Sequence, residues 1–211
     1  MSDEERVDRE IDAIAGRYIY CPTFNEMNDP MEGTHSASAL FRGEKNYDTT
    51  VAELNKAKST LGIASLSEVY DHEPMWAHYA DQFHGMCVAY SLSKLLGELS
   101  SKVALVRMNY SEKAPVLLRG RKTPEDRARL ALSTKTIRWM SEREWRIIAP
   151  KSGRAQYKTA DCVTRVYLGS RMAAEDQIKV RRKMAKLGID VCKMHIEEYE
   201  IAFRKLRTYS K

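Results

Sequence analysis

The sequence predicts an α+β fold: a mixed, mainly antiparallel sheet of short strands with helices packed on it. Three observations lead there. Apolar, β-compatible runs such as RYIYC (Arg17 to Cys21), Met86 to Tyr90 and Val163 to Leu168 are short and scattered along the chain. Between them lie amphipathic stretches of helical period, among them residues 3 to 15 and 173 to 187. The strands and helices do not alternate regularly, and no internal repeat or linker divides the 211 residues, so a single domain spanning 1–211 is expected.

Ser2-Asp3-Glu4-Glu5 fits a capping box, and Val7, Ile11, Ile14 and Ala15 form the buried stripe of the helix that Gly16 closes. After the strand Arg17 to Cys21, PTFNEMNDPMEG (Pro22 to Gly33) reads as a turn-rich loop. Its Asn and Asp side chains bond their own backbone, and Pro30 keeps Asp29 out of helical geometry. A second helix is expected from Asp48 or Thr50 to about Lys58. A short strand then ends at Ser65-Leu66-Ser67. Pro74 opens the next helix, which carries Trp76, Tyr79, Ala80 and Phe83 on one stripe until His84-Gly85 stops it. Met86 to Tyr90 returns as a strand, followed by a short helix (Ser93 to Leu99) and a strand from Val103 to Tyr110.

Thr123-Pro124-Glu125-Asp126 is a helix start, with a cap, a first-turn Pro and acids where the helix dipole favours them; this helix is expected to reach Met140. Ser141-Glu142-Arg143-Glu144 leads into the strand Trp145 to Ala149, and Pro150 ends it. Val163 to Leu168, a basic helix from Ala173 to Leu187, and strands Val191 to Ile196 and Tyr199 to Phe203 complete the chain.

Net charge is +6, concentrated in Arg119 to Arg129 and Lys179 to Lys186. These are either solvated helix faces or a basic rim for a phosphate-bearing ligand or nucleic acid. The four cysteines are far apart and form no C-x-x-C pair, which suits reduced thiols in a cytoplasmic protein. No run has the length of a membrane span. His72, His78 and His84 are six residues apart, a spacing that fits no metal motif, so no metal is expected.

Three segments together resemble a bacterial family known only as domain of unknown function 2971. They are Phe24 to Glu32, close to its N-D-P-F-E loop; Met75-Trp76-Ala77-His78-Tyr79-Ala80 with His84-Gly85; and Glu142-Arg143-Glu144-Trp145-Arg146, its E-x-E-aromatic-R strand. Family members usually begin with a strand carrying a Tyr-Lys-Tyr-like motif, whereas this chain starts at the first helix. That strand is therefore expected to be lost or to lie upstream of Met1.

The order of elements also resembles, in topology, the NAD-dependent ADP-ribosyltransferases of the Arg–Ser–Glu class. That resemblance implies NAD as substrate, Glu144 as the carboxylate facing an oxocarbenium-like state, and Glu142 as the group positioning the acceptor. It implies that Ser65 braces the first carboxylate and the cofactor, that Ser67 belongs to the cofactor-binding set, and that the basic residue of the class lies on the missing strand or is replaced by Arg17. Asn28 and Asp29 of the polar loop, Tyr79 and Arg146 complete the implied cofactor-binding set. The 2971-family resemblance points to phage-defence or toxin–antitoxin contexts. In an extended strand, residues i and i+2 point the same way about 6.5–7 Å apart, which would set Glu142, Glu144 and Arg146 on one side.

Other readings stay open. S-x-S is common at strand ends, E-R-E-W-R suits a solvent-facing salt-bridge ladder, and Trp76, Tyr79 and Phe83 suit a core. A non-catalytic module binding nucleic acid or a partner protein through the basic helices is the alternative function.

Overall fold

The computed structural model describes residues 3–120 and 122–206 and has the α+β architecture expected. Ser2 of the N-terminal capping box lies outside the described residues. No helix among the described residues is long and apolar enough to cross a membrane. The chain forms two compact units. One contains the chain up to Ile19, Val69–Ser100 and the chain from Gln156; the other contains Tyr20–Glu68 and Ser101–Ala155.

The first unit is built on a four-stranded sheet in the order Glu200–Lys205, Asp190–Glu197, Val163–Leu168, Met86–Tyr90. Val163–Leu168 and Asp190–Glu197 run parallel, joined through the helix Ala174–Lys186; the other pairs are antiparallel. Alternation along Val163–Leu168 sends Val166 and Leu168 to one face and Tyr167 to the other. Tyr167 joins Trp76, Cys192 and Met194 in a core cluster. The helix Asp3–Ala15 buries Val7, Ile11 and Ile14, as its sequence period requires, and Lys179 of the basic helix pairs with its Asp8 at 2.5 Å.

The Trp76 helix is shorter than its stripe suggests. It spans Glu73–Tyr79 with Pro74 in its first turn, and Trp76 is 3% exposed with its indole N–H on the Tyr70 carbonyl at 2.7 Å. Asp81, Gln82 and Phe83 then take left-handed conformations, with φ of 48°, 51° and 72°. Each costs about 1–2 kcal/mol for a residue bearing a Cβ. The turn persists because its N–H groups stay bonded: Gln82 to Ala77, Phe83 to Trp76 and Gly85 to Ala80. Gly169 is required beside it, since a Cβ there would lie 2.1 Å from the Phe83 carbonyl oxygen.

The second unit is built on a three-stranded antiparallel sheet, with Glu144–Ala149 between Gly62–Ser67 and Ala104–Arg107. The helices Tyr47–Thr60 and Pro124–Leu132 pack against each other and, with the sheet, enclose Phe41, Leu54, Leu61, Ile63, Leu117, Ala128, Leu132 and Ile148. Thr123 caps the second helix, its hydroxyl accepting the Asp126 N–H at 3.1 Å.

Two expected elements break where the chain changes partner. The strand expected from Val103 to Tyr110 divides at Met108, whose N–H donates to Glu144 while the next N–H, of Asn109, donates to Ser133. The helix expected to reach Met140 ends at Leu132. The hydroxyls of Ser133 and Thr134 both donate to the Leu130 carbonyl, and Thr134–Thr136 leaves as a strand parallel to Asn109–Ser111. β-branched Thr134, Thr136 and Ile137 favour that exit. The strand places Lys135 inside the unit.

Candidate functional site

The site lies in the second unit, where three segments distant in sequence converge. Asp29 shapes the first: its carboxylate accepts the Met31 N–H at 2.9 Å and its carbonyl accepts the Glu32 N–H at 3.0 Å, turning Glu32 inward before Gly33 (φ +66°). The second is Thr134–Thr136 with Lys135. The third is the single-residue connection at Arg143 between the 3-10 turn Ile137–Glu142 and the strand Glu144–Ala149.

Arg143 is left-handed (φ 48°, ψ 50°), so Glu142 and Glu144 are not successive same-side positions of one extended strand. That corrects the i, i+2 expectation, although both carboxylates still reach one cation. Lys135 Nζ donates to Glu142 at 2.7 Å and to Glu144 at 3.0 Å, and lies 4.7 Å from the centroid of the Trp139 ring. Arg146 is fully buried. Its guanidinium forms a two-pronged pair with Glu32 at 2.8 and 2.6 Å, and donates to Glu144 and to the Leu132 carbonyl, both at 2.7 Å. Ser65 Oγ, itself exposed, donates to Glu144 Oε1 at 2.6 Å. The Glu144 N–H donates to the Tyr110 hydroxyl at 2.7 Å, and Ser67 Oγ donates to the Glu142 carbonyl at 2.7 Å.

Burial alone would push the Glu144 carboxyl up, but the Arg146 charge and hydrogen bond, with Lys135 and Ser65, hold it below the ordinary value of 4.5. Burial would likewise push Lys135 down, yet Glu144 and Glu142 hold its ammonium above 10.5. Arg146 is held further in its charged form by Glu32 and Glu144 against the effect of burial. Burial leads the rise at Tyr110. Both carboxylates and both cations sit at under 10% side-chain exposure, so their attractions act with little screening by water.

Of the residues singled out in the sequence, Glu142, Glu144, Ser65 and Arg146 meet here. Ser67 and Asp29 support the backbone of the site, the first at Glu142 and the second at Glu32. Asn28 is exposed on its loop. Arg17 and Tyr79 belong to the first unit. Arg17 is exposed and left-handed (φ 55°), with its guanidinium on the Lys158 carbonyl at 2.7 Å, and Tyr79 is 47% exposed. Glu32, Lys135 and Tyr110 were missed as site residues. Glu32 stands in the N-D-P loop and had a signal there. Lys135 was hidden inside a presumed helix, and the break of period at Ser133-Thr134-Lys135-Thr136 was its only sign. Of the basic segments, the first is partly core: Arg127 is buried, with three carbonyls for its guanidinium and the Phe41 ring 4.4 Å away.

Fold and site together define an α+β protein whose second unit is organised around a buried network of three carboxylates and two cations. Residues 75–147 match the family model described as Protein of unknown function (DUF2971). The matched span holds Trp76, Lys135 and the Glu142–Arg146 run, and begins after the loop that supplies Glu32. No curated protein and no solved structure matches the chain.

Proposed function

We propose that the chain is an ADP-ribosyltransferase-like enzyme that cleaves the nicotinamide–ribose bond of NAD, with Glu144 as its central carboxylate. The observation that supports this reading is the convergence of Glu142, Glu144 and Ser65 on one buried network. Three carboxylates there face two cations, a formal excess of one negative charge where water is excluded. Such a site favours a state that develops positive charge, as ribose does when its glycosidic bond breaks. The bonding pair of the C–N bond leaves with nicotinamide, and an acceptor, water in the simplest case, attacks the ribose carbon and loses its proton to solvent. Every Glu144 oxygen is engaged, by Ser65 and Arg146 on one side and by Lys135 on the other. Ser65 is the exposed donor, so a ribose hydroxyl would take its place on Oε1.

The test is nicotinamide release from NAD. Glu144→Gln keeps the shape and removes the charge, and a rate loss on the order of 10²–10³ is expected, the scale for one preorganised electrostatic partner. Ser65→Ala changes an exposed side chain and removes the hydroxyl that a ribose hydroxyl would displace from Oε1, so it should alter KM more than kcat. Equal rates in the parent and in folded Glu144→Gln would end the catalytic reading.

A further inference from the structure

A second group of basic side chains in the same unit is not used by the carboxylate network. Lys58, on the helix Tyr47–Thr60, is 8% exposed. Its ammonium donates to the Gly33 carbonyl at 3.1 Å and lies 5.6 Å from the centroid of the Phe24 ring. Among the described residues it has no carboxylate partner, unlike Lys135 and Arg146, which have two each within bonding distance. An ammonium carries three donors, and one carbonyl leaves most of its charge uncompensated by protein groups among the described residues. Half-buried His35 brings Nδ1 to 3.4 Å from the same carbonyl oxygen, so ammonium and imidazole flank a single acceptor. Burial disfavours the charged form of both groups, and the Lys58 charge adds to the effect at His35.

We propose that Lys58 and His35 form an anion site that takes a phosphate-type oxyanion, either free or as the phosphate of a nucleotide. A bound oxyanion supplies the missing counter-charge and accepts the spare Lys58 N–H donors. It also stabilises a proton on His35, and that second positive charge favours a doubly negative ligand over a carboxylate. Lysine suits this role as a compact point charge. The Phe24 to His35 loop that builds the site also presents Glu32 to the carboxylate network, but the proposal stands without the NAD reading.

The experiment follows the His35 imidazole by NMR through a pH titration of the full chain, at fixed ionic strength, with chloride alone, with inorganic phosphate and with AMP. Phosphate or AMP should raise the His35 midpoint and do so saturably. Lys58→Met keeps the packed stem and removes the charge. In it the midpoint should already be higher in chloride, and the ligand affinity should fall at least about tenfold, as befits loss of a charge-assisted bond. A stronger response to AMP than to inorganic phosphate identifies a nucleotide as the source, and an equal response identifies a free oxyanion. A parent titration curve identical in chloride, phosphate and AMP would overturn the proposal. So would a ligand response that Lys58→Met leaves intact.

Discussion

Two groups of charged side chains meet at the start of the strand Glu144–Ala149, and adjacent residues of one short run feed them alternately. Arg143 and Trp145 turn outward to Glu68: the guanidinium of Arg143 bonds at 2.9 and 2.7 Å, the Trp145 indole at 2.8 Å, and Arg107 approaches at 3.3 Å. Glu142, Glu144 and Arg146 turn inward to Lys135 and Glu32. The bond lengths on the two sides are alike, but the exposures are not. Side-chain exposure is 55% for Arg143 and 63% for Arg107, against 0% for Arg146 and 4% for Glu144. Outside, water competes for every donor and acceptor, and the pairs are screened. Inside, each charge has lost its hydration and depends on its partners, so removing one leaves the others stranded. Equal geometry therefore carries unequal consequences, and the solvent-facing ladder suggested by E-R-E-W-R is half of what the run builds.

The comparison breaks most visibly at Arg146. Arg146→Met preserves much of the buried volume but leaves Glu32 and Glu144 without their shared cation. A loss of about 3–5 kcal/mol is expected, the range for breaking a buried pair from one side. Urea denaturation measures it, and a midpoint equal to that of the parent would show the inner network to be as dispensable as the outer ladder.

A second effect lies in pH. Glu144 titrates below 4.5 in the fold, so its contribution is complete above that value and is lost as pH falls through the depressed midpoint. Lys135 titrates above 10.5, so its contribution is complete below that value and is lost as pH rises through the raised midpoint. The parent should be most stable between these limits. Lys135→Met removes the alkaline arm and takes from Glu144 one of its two cations, so in this variant the alkaline loss should vanish and the acid loss should begin at a higher pH than in the parent. Denaturation midpoints across the pH range, parent against variant, check both changes; parallel curves would mean that Lys135 does not help to hold Glu144 ionised.

The smallest change belongs to the outer ladder. Glu68 is held below its ordinary value chiefly by the Trp145 indole bond, with Arg143 and Arg107 adding to it. Glu68→Gln keeps an acceptor for the indole in a site open to water. Its denaturation midpoint should match that of the parent within error, at low and high salt alike. A salt-dependent loss would show that the ladder contributes through charge after all.

Much of the fold was legible because local chemistry sets it. The Thr123 cap, the Pro74 helix start and the strand Val163–Leu168 stand where their residues place them. The failures share a cause. Residues 133–136 follow a capped helix with no Gly or Pro to stop it, and Asp81, Gln82 and Phe83 look like ordinary helix residues. In both places tertiary hydrogen bonds outweighed local preference: the pairing with Asn109–Ser111 in the first, and in the second the Phe83 carbonyl, which accepts from Arg171 against the close-packed Gly169.

The site divides along the same line. By itself the sequence determined that acidic and basic residues crowd the run Glu142–Arg146, that a polar loop ends in Glu32, and that Ser65 and Ser67 alternate on a strand. Only the tertiary structure decided which of these charges lose their water. A left-handed Arg143 rotates Glu142 toward Lys135, the Asp29 turn delivers Glu32 to Arg146 across 114 residues of chain, and burial makes their partnership obligatory. Spacing along a chain fixes the direction of a side chain relative to its neighbours. Its hydration, and with it the strength of every charge, depends on what the rest of the fold packs over it.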